Sequence, residues 1–147
     1  MTRNAILLAE DNRDDEELTA RAFKKARIKN EVIVVRDGAE ALEYLFCTGK
    51  YAGRDPNEMP QVVLLDLKLP KVDGLEVLRR IRANPLTKVL PVIILTSSRE
   101  ESDLLEGYRG GANSYIVKPV DPEQFEESIR QLGLYWLVLN ELPAGAK

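Results

Sequence analysis

Five short apolar runs, separated by stretches with helical spacing, constrain the fold of this chain more than any other feature of its sequence. The runs cover residues 5–9, 32–35, 62–65, 92–95 and 115–117. Four of them are apolar throughout and do not alternate with polar residues, which is typical of strands covered on both faces. Strands that alternate with helices favour a parallel sheet. We therefore predict an α/β fold with a five-stranded parallel sheet and helices on both faces.

Capping pairs mark the expected helix starts. In each pair a Ser or Asp stands three residues before an acidic or amide side chain. The pairs predict helix starts near Asp14, Asp73, Ser98 and Asp121, with Pro122 at the first position of the last helix. The helix after the second strand is expected over residues 39–46.

The length of 147 residues fits one domain, although two stretches exceed what five strand–helix units need. Residues 48–60 contain two Gly and two Pro and are expected to form a loop insertion before the third strand. The last helix is expected to extend to about residue 140. We predict a single domain over residues 1–147, with no output domain after it.

The composition excludes several classes of function. The chain has no histidine, so a Ser-His-Asp triad and a histidine-ligated metal are impossible, and its one cysteine, Cys47, cannot form an internal disulfide. The net charge of −3 is spread along the chain and argues against nucleic-acid binding. No apolar run approaches the roughly 20 residues that span a bilayer, and the first residues do not form a signal peptide. We expect a cytoplasmic protein that binds neither nucleic acid nor membrane.

Polar and charged residues stand where four of the expected strands end. Glu10 and Asp11 follow the first run, Asp66 the third, Thr96 the fourth and Lys118 the fifth. Because the carboxyl ends of parallel strands share one edge of the sheet, these side chains should meet. Three close carboxylates favour a divalent cation such as Mg²⁺, while the ammonium and the hydroxyl suit an anion. The set predicts phosphoryl transfer with a carboxylate as the nucleophile.

These residues resemble the receiver domain of two-component response regulators, over about residues 4–139. The matching features are Glu10-Asp11, Asp66 at the end of Val-Val-Leu-Leu-Asp, the segment from Pro70 to Gly74, Thr96-Ser97 and Lys118-Pro119. The resemblance implies a flavodoxin-like, doubly wound sheet with strand order 2-1-3-4-5. It also implies a Mg²⁺-dependent phosphoacceptor and conformational switch in a phosphorelay. The only catalysis expected is the chain's own phosphorylation and dephosphorylation, so we do not expect a conventional enzyme.

The resemblance assigns the phosphoacceptor and the metal ligands. Asp66 would take the phosphoryl group from the phosphohistidine of a sensor histidine kinase. Asp11 would bind Mg²⁺ directly, Glu10 would bind it through water, and Asp66 also belongs to the metal site. The backbone carbonyl of Lys68 would complete the protein ligands.

The resemblance also assigns the groups that respond to phosphorylation. Thr96 and Lys118 would each bond a phosphoryl oxygen. Tyr115 stands at the position of the switch aromatic, which turns inward when Thr96 is drawn toward the phosphate. Receivers usually hold the peptide bond between Lys118 and Pro119 in cis.

The layout resembles a narrower group, the single-domain response regulators that partner phytochrome-type photoreceptor kinases. The insertion before the third strand and the apolar extension of the last helix carry this likeness. It implies a phytochrome-type kinase as the partner.

The end of the chain has more apolar residues than one helix face can bury. Phe125, Ile129, Leu132, Trp136 and Leu139 form one stripe at helical spacing, and Leu134, Tyr135, Leu137 and Val138 fall on other faces. An apolar patch of this size usually marks an interface. We expect a symmetric homodimer through these last four residues, with burial under the long loop as the alternative.

Three other functions remain open. A phosphorelay shuttle that passes phosphate from Asp66 to a histidine phosphotransfer protein has the same sequence features as a terminal switch. A binding module that ignores phosphate would typically have lost Asp11, Asp66 or Lys118, and this chain keeps all three. A hydrolase of small phosphorylated metabolites usually has a second Asp two residues after the nucleophile, where this chain has Lys68.

Overall fold

The structure, a computed structural model, describes residues 5–119 and 121–139, with Val138 and Leu139 described by their backbone alone. The strands are β1 (Ile6–Ala9), β2 (Val32–Val35), β3 (Val62–Leu65), β4 (Val92–Thr96) and β5 (Ser114–Val117). The helices are α1 (Arg13–Lys25), α2 (Gly38–Phe46), α3 (Gly74–Ala83), α4 (Glu101–Arg109) and α5 (Pro122–Gly133). A π-helix, Leu134–Leu139, continues α5, and a 3₁₀ turn covers Gly49–Tyr51. No helix in the described part of the chain has the length and apolar character that a membrane crossing requires.

The strands form one parallel sheet in the order β2-β1-β3-β4-β5, which confirms the predicted topology. The register determines which residues leave the sheet together. Ala9 of β1 lies opposite Leu65 of β3, so the residues that follow them emerge side by side. Thr96 of β4 lies opposite Val117 of β5 in the same way.

The side chains of the central strands alternate between two apolar layers, one on each face of the sheet. The layer beside α2 and α3 receives Leu7, Ala9, Val63, Leu65 and Ile94. The layer beside α1 and α5 receives Ile6, Leu8, Leu64, Ile93 and Leu95. Because both faces are covered by helices, each of these strands is apolar at consecutive positions.

Two of the four predicted helix caps are wrong. α1 begins two residues earlier than expected, with the side chain of Asn12 as its cap, and α4 has no side-chain cap. The hydroxyl of Ser98 instead donates to Asp103 Oδ2 at 2.6 Å. Several polar side chains precede both helices and compete for the same free N–H groups, so spacing alone does not identify the cap. Asp73 and Asp121 cap α3 and α5 as predicted.

The insertion before β3 packs against α2 through aromatic and cationic contacts. The guanidinium carbon of Arg54 lies 4.2 Å from the ring centroid of Tyr44, and its Nε donates to the Tyr44 carbonyl at 2.9 Å. The ring of Tyr51 meets that of Tyr44 edge-on, with the centroids 5.1 Å apart. Directly after the insertion, Gln61 Nε2 donates to the carbonyl of Leu137 at 3.3 Å. The residue that follows the insertion is therefore in direct contact with the C-terminal π-helix.

The residues beyond α5 do not present the faces that α-helical spacing predicts. Helical spacing predicts Leu137 on a face away from the apolar stripe, but it packs against the apolar layer beside α1 and α5, as Trp136 does. Leu134 and Tyr135 are 37% and 52% exposed, and the side chain of Val138 lies outside the described residues. The winding explains the difference, because π-helical hydrogen bonds span five residues and each residue turns by less than in an α-helix.

Candidate functional site

The structure brings the predicted site residues to the carboxyl edge of the sheet. Glu10 and Asp66 directly follow the paired strands β1 and β3, and Lys118 directly follows β5. Thr96 ends β4, and its carbonyl accepts the N–H of Lys118 at 2.7 Å. These four residues are all buried, whereas Asp11 is exposed. The site is therefore a nearly closed polar cluster with one carboxylate in contact with water.

Lys118 lies at the centre of the cluster and bonds three carboxylates. Its Nζ is 2.7 Å from Glu10 Oε1, 2.8 Å from Asp15 Oδ2 and 3.0 Å from Asp66 Oδ2. An ammonium group carries three hydrogens, so each has its own acceptor. Burial opposes the charge, but the hydrogen bonds to Asp15 and Glu10 and the charge of Asp66 outweigh it and raise the pKa of Lys118. Lys118 is therefore a fixed cation at this edge of the sheet.

The carboxylates around Lys118 have the chemistry of a site for a hard divalent cation. One oxygen from each of Glu10, Asp11 and Asp66 lies within 4.8 Å of the other two. Asp66 Oδ1 accepts the N–H of Lys68 at 3.2 Å, which folds the backbone after β3 around the carboxylate. Mg²⁺ takes one or two protein carboxylates and keeps several waters, and the exposed Asp11 leaves room for them. The residues present fit such an ion.

Glu10 gives the metal-free site a pH dependence. Burial raises the pKa of Glu10 from 4.5 to about 7, and Lys118 offsets this only in part. Because the folded-state pKa is raised, the stability linked to Glu10 is fully present below about pH 4.5 and is lost as the pH rises through about 7. The pKa of Lys118 is raised from an already high value, so Lys118 stays protonated over this pH range and adds no pH dependence to the stability.

We therefore expect the free energy of unfolding of the wild type to fall relative to that of Glu10→Gln, by up to about 3 kcal/mol, as the pH rises from about 4.5 to 8. The measurement is urea unfolding of both proteins in the presence of EDTA. A difference that stays constant across this range would contradict the raised pKa.

Thr96 and Tyr115 contact the same loop through Ser98. The Oγ1 of Thr96 accepts the Ser98 N–H at 3.3 Å, and the Tyr115 hydroxyl donates to the Ser98 carbonyl at 3.2 Å. The hydroxyl of Ser98 reaches Asp103 in the first turn of α4. The Tyr115 ring lies beside Gly107 of α4, where a Cβ would be 3.1 Å from the ring. These contacts connect Thr96 to α4 through a single loop residue.

The structure differs from the resemblance at the bond between Lys118 and Pro119, which is trans. None of the described peptide bonds is cis. For an X–Pro bond the intrinsic preference is only about 0.5–1 kcal/mol, so the surroundings select the isomer.

Sequence reasoning missed Asp15, the third partner of Lys118. Asp15 is one of three acidic residues in the first turn of α1, where acidic side chains are expected because they complement the helix dipole. No sequence signal distinguishes it from its neighbour Asp14. Only the rotation of α1 above the sheet edge shows that Asp15 reaches the lysine.

Comparison with known proteins places this arrangement in a family. The profile of the response regulator receiver domain matches residues 6–130. The phosphorylated cyanobacterial phytochrome response regulator RcpA is 38% identical, with a TM-score of 0.89, and the match covers 96% of this chain and 99% of RcpA. The Mn²⁺-bound response regulator Rcp1, a Synechocystis protein, is 36% identical, with a TM-score of 0.89 and coverage of 96% and 99%. The bacteriophytochrome response regulator AtBRR is 54% identical, with a TM-score of 0.73 and coverage of 94% and 98%.

Relatives of similar identity are not all named for phytochromes. The "Probable methanogenesis regulatory protein FilR2" of Methanothrix harundinacea is 39% identical, over 96% of this chain and 88% of its own length. The matched region includes all five strands and each residue of the cluster described above. This chain belongs to the response regulator receiver domain family.

Proposed function

We propose that this chain is a Mg²⁺-dependent phosphoacceptor and conformational switch in two-component signalling in the cytoplasm. A carboxylate oxygen of Asp66 attacks the phosphorus of a kinase phosphohistidine, the P–N bond breaks, and the histidine nitrogen leaves. The observation that carries the proposal is the cluster of three carboxylates with the buried, fully bonded Lys118. Receiver domains are signalling domains, and the chain's own phosphorylation and dephosphorylation are the only catalysis we propose.

A bound Mg²⁺ would neutralise charge on the carboxylate and on the phosphoryl oxygens. Glu10, Asp11 and Asp66 would hold it, with the backbone carbonyl of Lys68 as a further ligand. The oxygen-only donor set supports this assignment.

The protein's own groups hold and orient the phosphoryl group. Lys118 exchanges its bonds to Glu10 and Asp66 for a bond to a phosphoryl oxygen, and Thr96 donates its hydroxyl to another. Both residues are buried, so these bonds form where bulk water does not compete with them. A phosphoryl group adds about −1.5 to −2 charges and three acceptor oxygens.

The switch follows from the contacts of Thr96. When the Thr96 hydroxyl turns to the phosphate, its contact with the Ser98 N–H changes, and Ser98 also holds the Tyr115 hydroxyl. We propose that Tyr115, whose ring already lies beside Gly107, then turns further inward and shifts α4. The outer face of α4 exposes Leu104 and Tyr108 at 39% and 51%, and this face would report the change.

The experiment that tests the function is intact-mass spectrometry after incubation with phosphoramidate, with and without Mg²⁺. We expect wild type to gain a single phosphoryl adduct only with Mg²⁺ and Asp66→Asn to gain none, because an amide is a poor nucleophile. Asp14→Asn, an exposed carboxylate outside the cluster, is the control and should keep the adduct. A folded wild type without an adduct, or an equal adduct on Asp66→Asn, would contradict the proposal.

We propose a phytochrome-type sensor histidine kinase as the partner. RcpA and AtBRR are named for phytochromes, and each aligns with at least 94% of this chain. The insertion at residues 48–60 and the C-terminal π-helix support the same assignment, and Gln61, directly after the insertion, bonds the carbonyl of Leu137 in that helix. The test is the rate of phosphotransfer from a phosphorylated phytochrome-type kinase and from an unrelated histidine kinase. Equal rates at equal concentrations would contradict the assignment.

We also propose a symmetric homodimer through Leu134 and Tyr135, which are the exposed apolar residues among the π-helix side chains that the structure describes. We expect a dimer in sedimentation experiments at high micromolar concentration and a monomer for Leu134→Asp. Leu86→Asp is the matched control, because Leu86 is 59% exposed in the loop between α3 and β4. A wild type that is monomeric both before and after phosphorylation would rule out the dimer.

A further inference from the structure

The function proposed above, on which this inference rests, does not use the third hydrogen bond of Lys118. Two of its partners, Glu10 and Asp66, belong to the carboxylate group that would hold the metal. The third, Asp15 Oδ2, is 2.8 Å from the Lys118 nitrogen, and Asp15 is not among the three residues of that group. All three N–H groups of Lys118 are in use, so one bond must break before the lysine can reach a phosphoryl oxygen.

The bond to Asp15 is the one that can persist. Phosphorylation adds the phosphoryl group to Asp66, and a metal would engage Glu10 and Asp66, so both of these carboxylates change partners. Asp15 reacts with neither group. It lies in the first turn of α1, on a different element from the strand ends that carry the other two carboxylates.

The backbone of Asp15 is held firmly at this position. Its N–H donates to the capping side chain of Asn12 at 3.0 Å, and its carbonyl accepts the hydroxyl of the buried Thr19 at 2.8 Å. The acidic residue that follows it, Glu16, is paired with Arg36 at 2.5 Å instead. The Asp15 carboxylate therefore projects from a fixed helical turn toward one partner, Lys118.

We propose that Asp15 is a positioning residue that holds the ammonium of Lys118 while its bonds to Glu10 and Asp66 are exchanged for a bond to the phosphoryl oxygen. Lys118 then pivots about Asp15 and stays in the site throughout the exchange. With a neutral acceptor at residue 15, the ammonium would depend more strongly on Glu10 and Asp66, the two partners that it has to release. Charge-assisted hydrogen bonds are roughly twice as strong as neutral ones, so the loss should be measurable.

The chain offers a matched control for the loss of charge. Asp14 precedes Asp15 in the same turn of α1 and is exposed. Asp14→Asn therefore removes the same charge and the same interaction with the helix dipole, without touching the lysine. Asp15→Glu keeps the carboxylate and serves as the conservative rescue.

The first experiment measures the rate of adduct formation with phosphoramidate at saturating Mg²⁺. We expect Asp15→Asn to be slower than wild type by about tenfold, while Asp14→Asn stays within about twofold and Asp15→Glu recovers most of the rate. In the Lys118→Met background, Asp15→Asn should have no further effect, because its role acts through the lysine. A rate for Asp15→Asn equal to that of Asp14→Asn, or an equal slowing without Lys118, would overturn the proposal.

A second measurement does not require phosphorylation. In ¹H–¹⁵N NMR spectra of the metal-free protein, the buried Lys118 ammonium should exchange its hydrogens slowly with water. Asp15→Asn should accelerate that exchange about tenfold and Asp14→Asn should leave it unchanged. Unchanged exchange in Asp15→Asn would overturn the positioning role. Failure of the wild type to form an adduct, with this exchange difference present, would instead remove the proposed function and leave the anchoring contact established.

Discussion

Lys118→Met is expected to lower the free energy of unfolding by about 3 kcal/mol near pH 8 in the absence of a divalent metal. The side chain of Lys118 is 5% exposed and is the cation bonded to the buried carboxylates of Glu10 and Asp66. Met fills a similar volume but carries no charge. The substitution therefore leaves two buried carboxylates and the adjacent Asp15 without their counter-charge, and an uncompensated buried charge is costly.

A lower pH and a bound metal should each reduce this loss of stability. Without the ammonium, the pKa of Glu10 rises further, and the Glu10 carboxylate accepts a proton more readily as the pH falls. The deficit should therefore be largest near pH 8 and smaller near pH 5, below the Glu10 pKa of about 7. Mg²⁺ supplies positive charge to the same oxygens and should restore part of the stability.

Urea unfolding near pH 5 and pH 8, with EDTA or with Mg²⁺, measures these effects. Lys88→Met is the control, because Lys88 is exposed on the loop between α3 and β4, and it should change stability by less than about 0.5 kcal/mol. A Lys118→Met protein as stable as wild type near pH 8 without metal would show that the lysine does not compensate the carboxylates.

Gly74→Ala is the second substitution with a large expected effect, and it should lower the free energy of unfolding by about 2–3 kcal/mol. Gly74 is the first residue of α3, and its N–H donates to the Leu67 carbonyl at 2.9 Å. A Cβ at this position would overlap the carbonyl oxygen of Asp66 and lie 2.7 Å from the Cα of Leu67. Both are backbone atoms that no side-chain rotation can move aside. The clash outweighs the higher helix propensity of Ala, which is at most about 1 kcal/mol.

The same clash should slow phosphorylation, because it displaces the backbone that carries the phosphoacceptor. Adduct formation and urea unfolding should therefore both be impaired in Gly74→Ala. Gly53→Ala is the matched control, since a Cβ there meets nothing within 4 Å, and we expect its stability to stay within about 0.5 kcal/mol of wild type. Equal stability of the two variants would mean that the loop after β3 relaxes without cost.

The order of elements and the strand positions were predictable from the sequence. Apolar runs such as 62–65 predict strands covered on both faces, because only a sheet between two helical layers buries every residue of a strand. The meeting of Glu10, Asp66 and Lys118 was predictable for a related reason. A parallel sheet brings all its strand ends to one edge, so residues distant in sequence become neighbours through topology.

Other features depend on small energy differences that the sequence does not encode locally. The predicted caps of α1 and α4 were wrong because neighbouring polar side chains compete for the same N–H groups with similar energies. The bond between Lys118 and Pro119 is trans, and the sequence does not determine this because the intrinsic preference of about 0.5–1 kcal/mol is small enough for packing to decide the isomer.

The sequence by itself determined the architecture and which polar residues end the strands at the carboxyl edge of the sheet, through the pattern of buried strands and the chemistry of the residues that follow them. Only the tertiary structure decided which of two adjacent acids reaches Lys118, because this depends on the rotation of α1 above the sheet edge. It also decided that Leu137 packs inward while Tyr135 stays exposed. The physical reason is that the π-helical winding after α5 changes the angle between successive side chains, and periodicity along the chain assumes a constant angle.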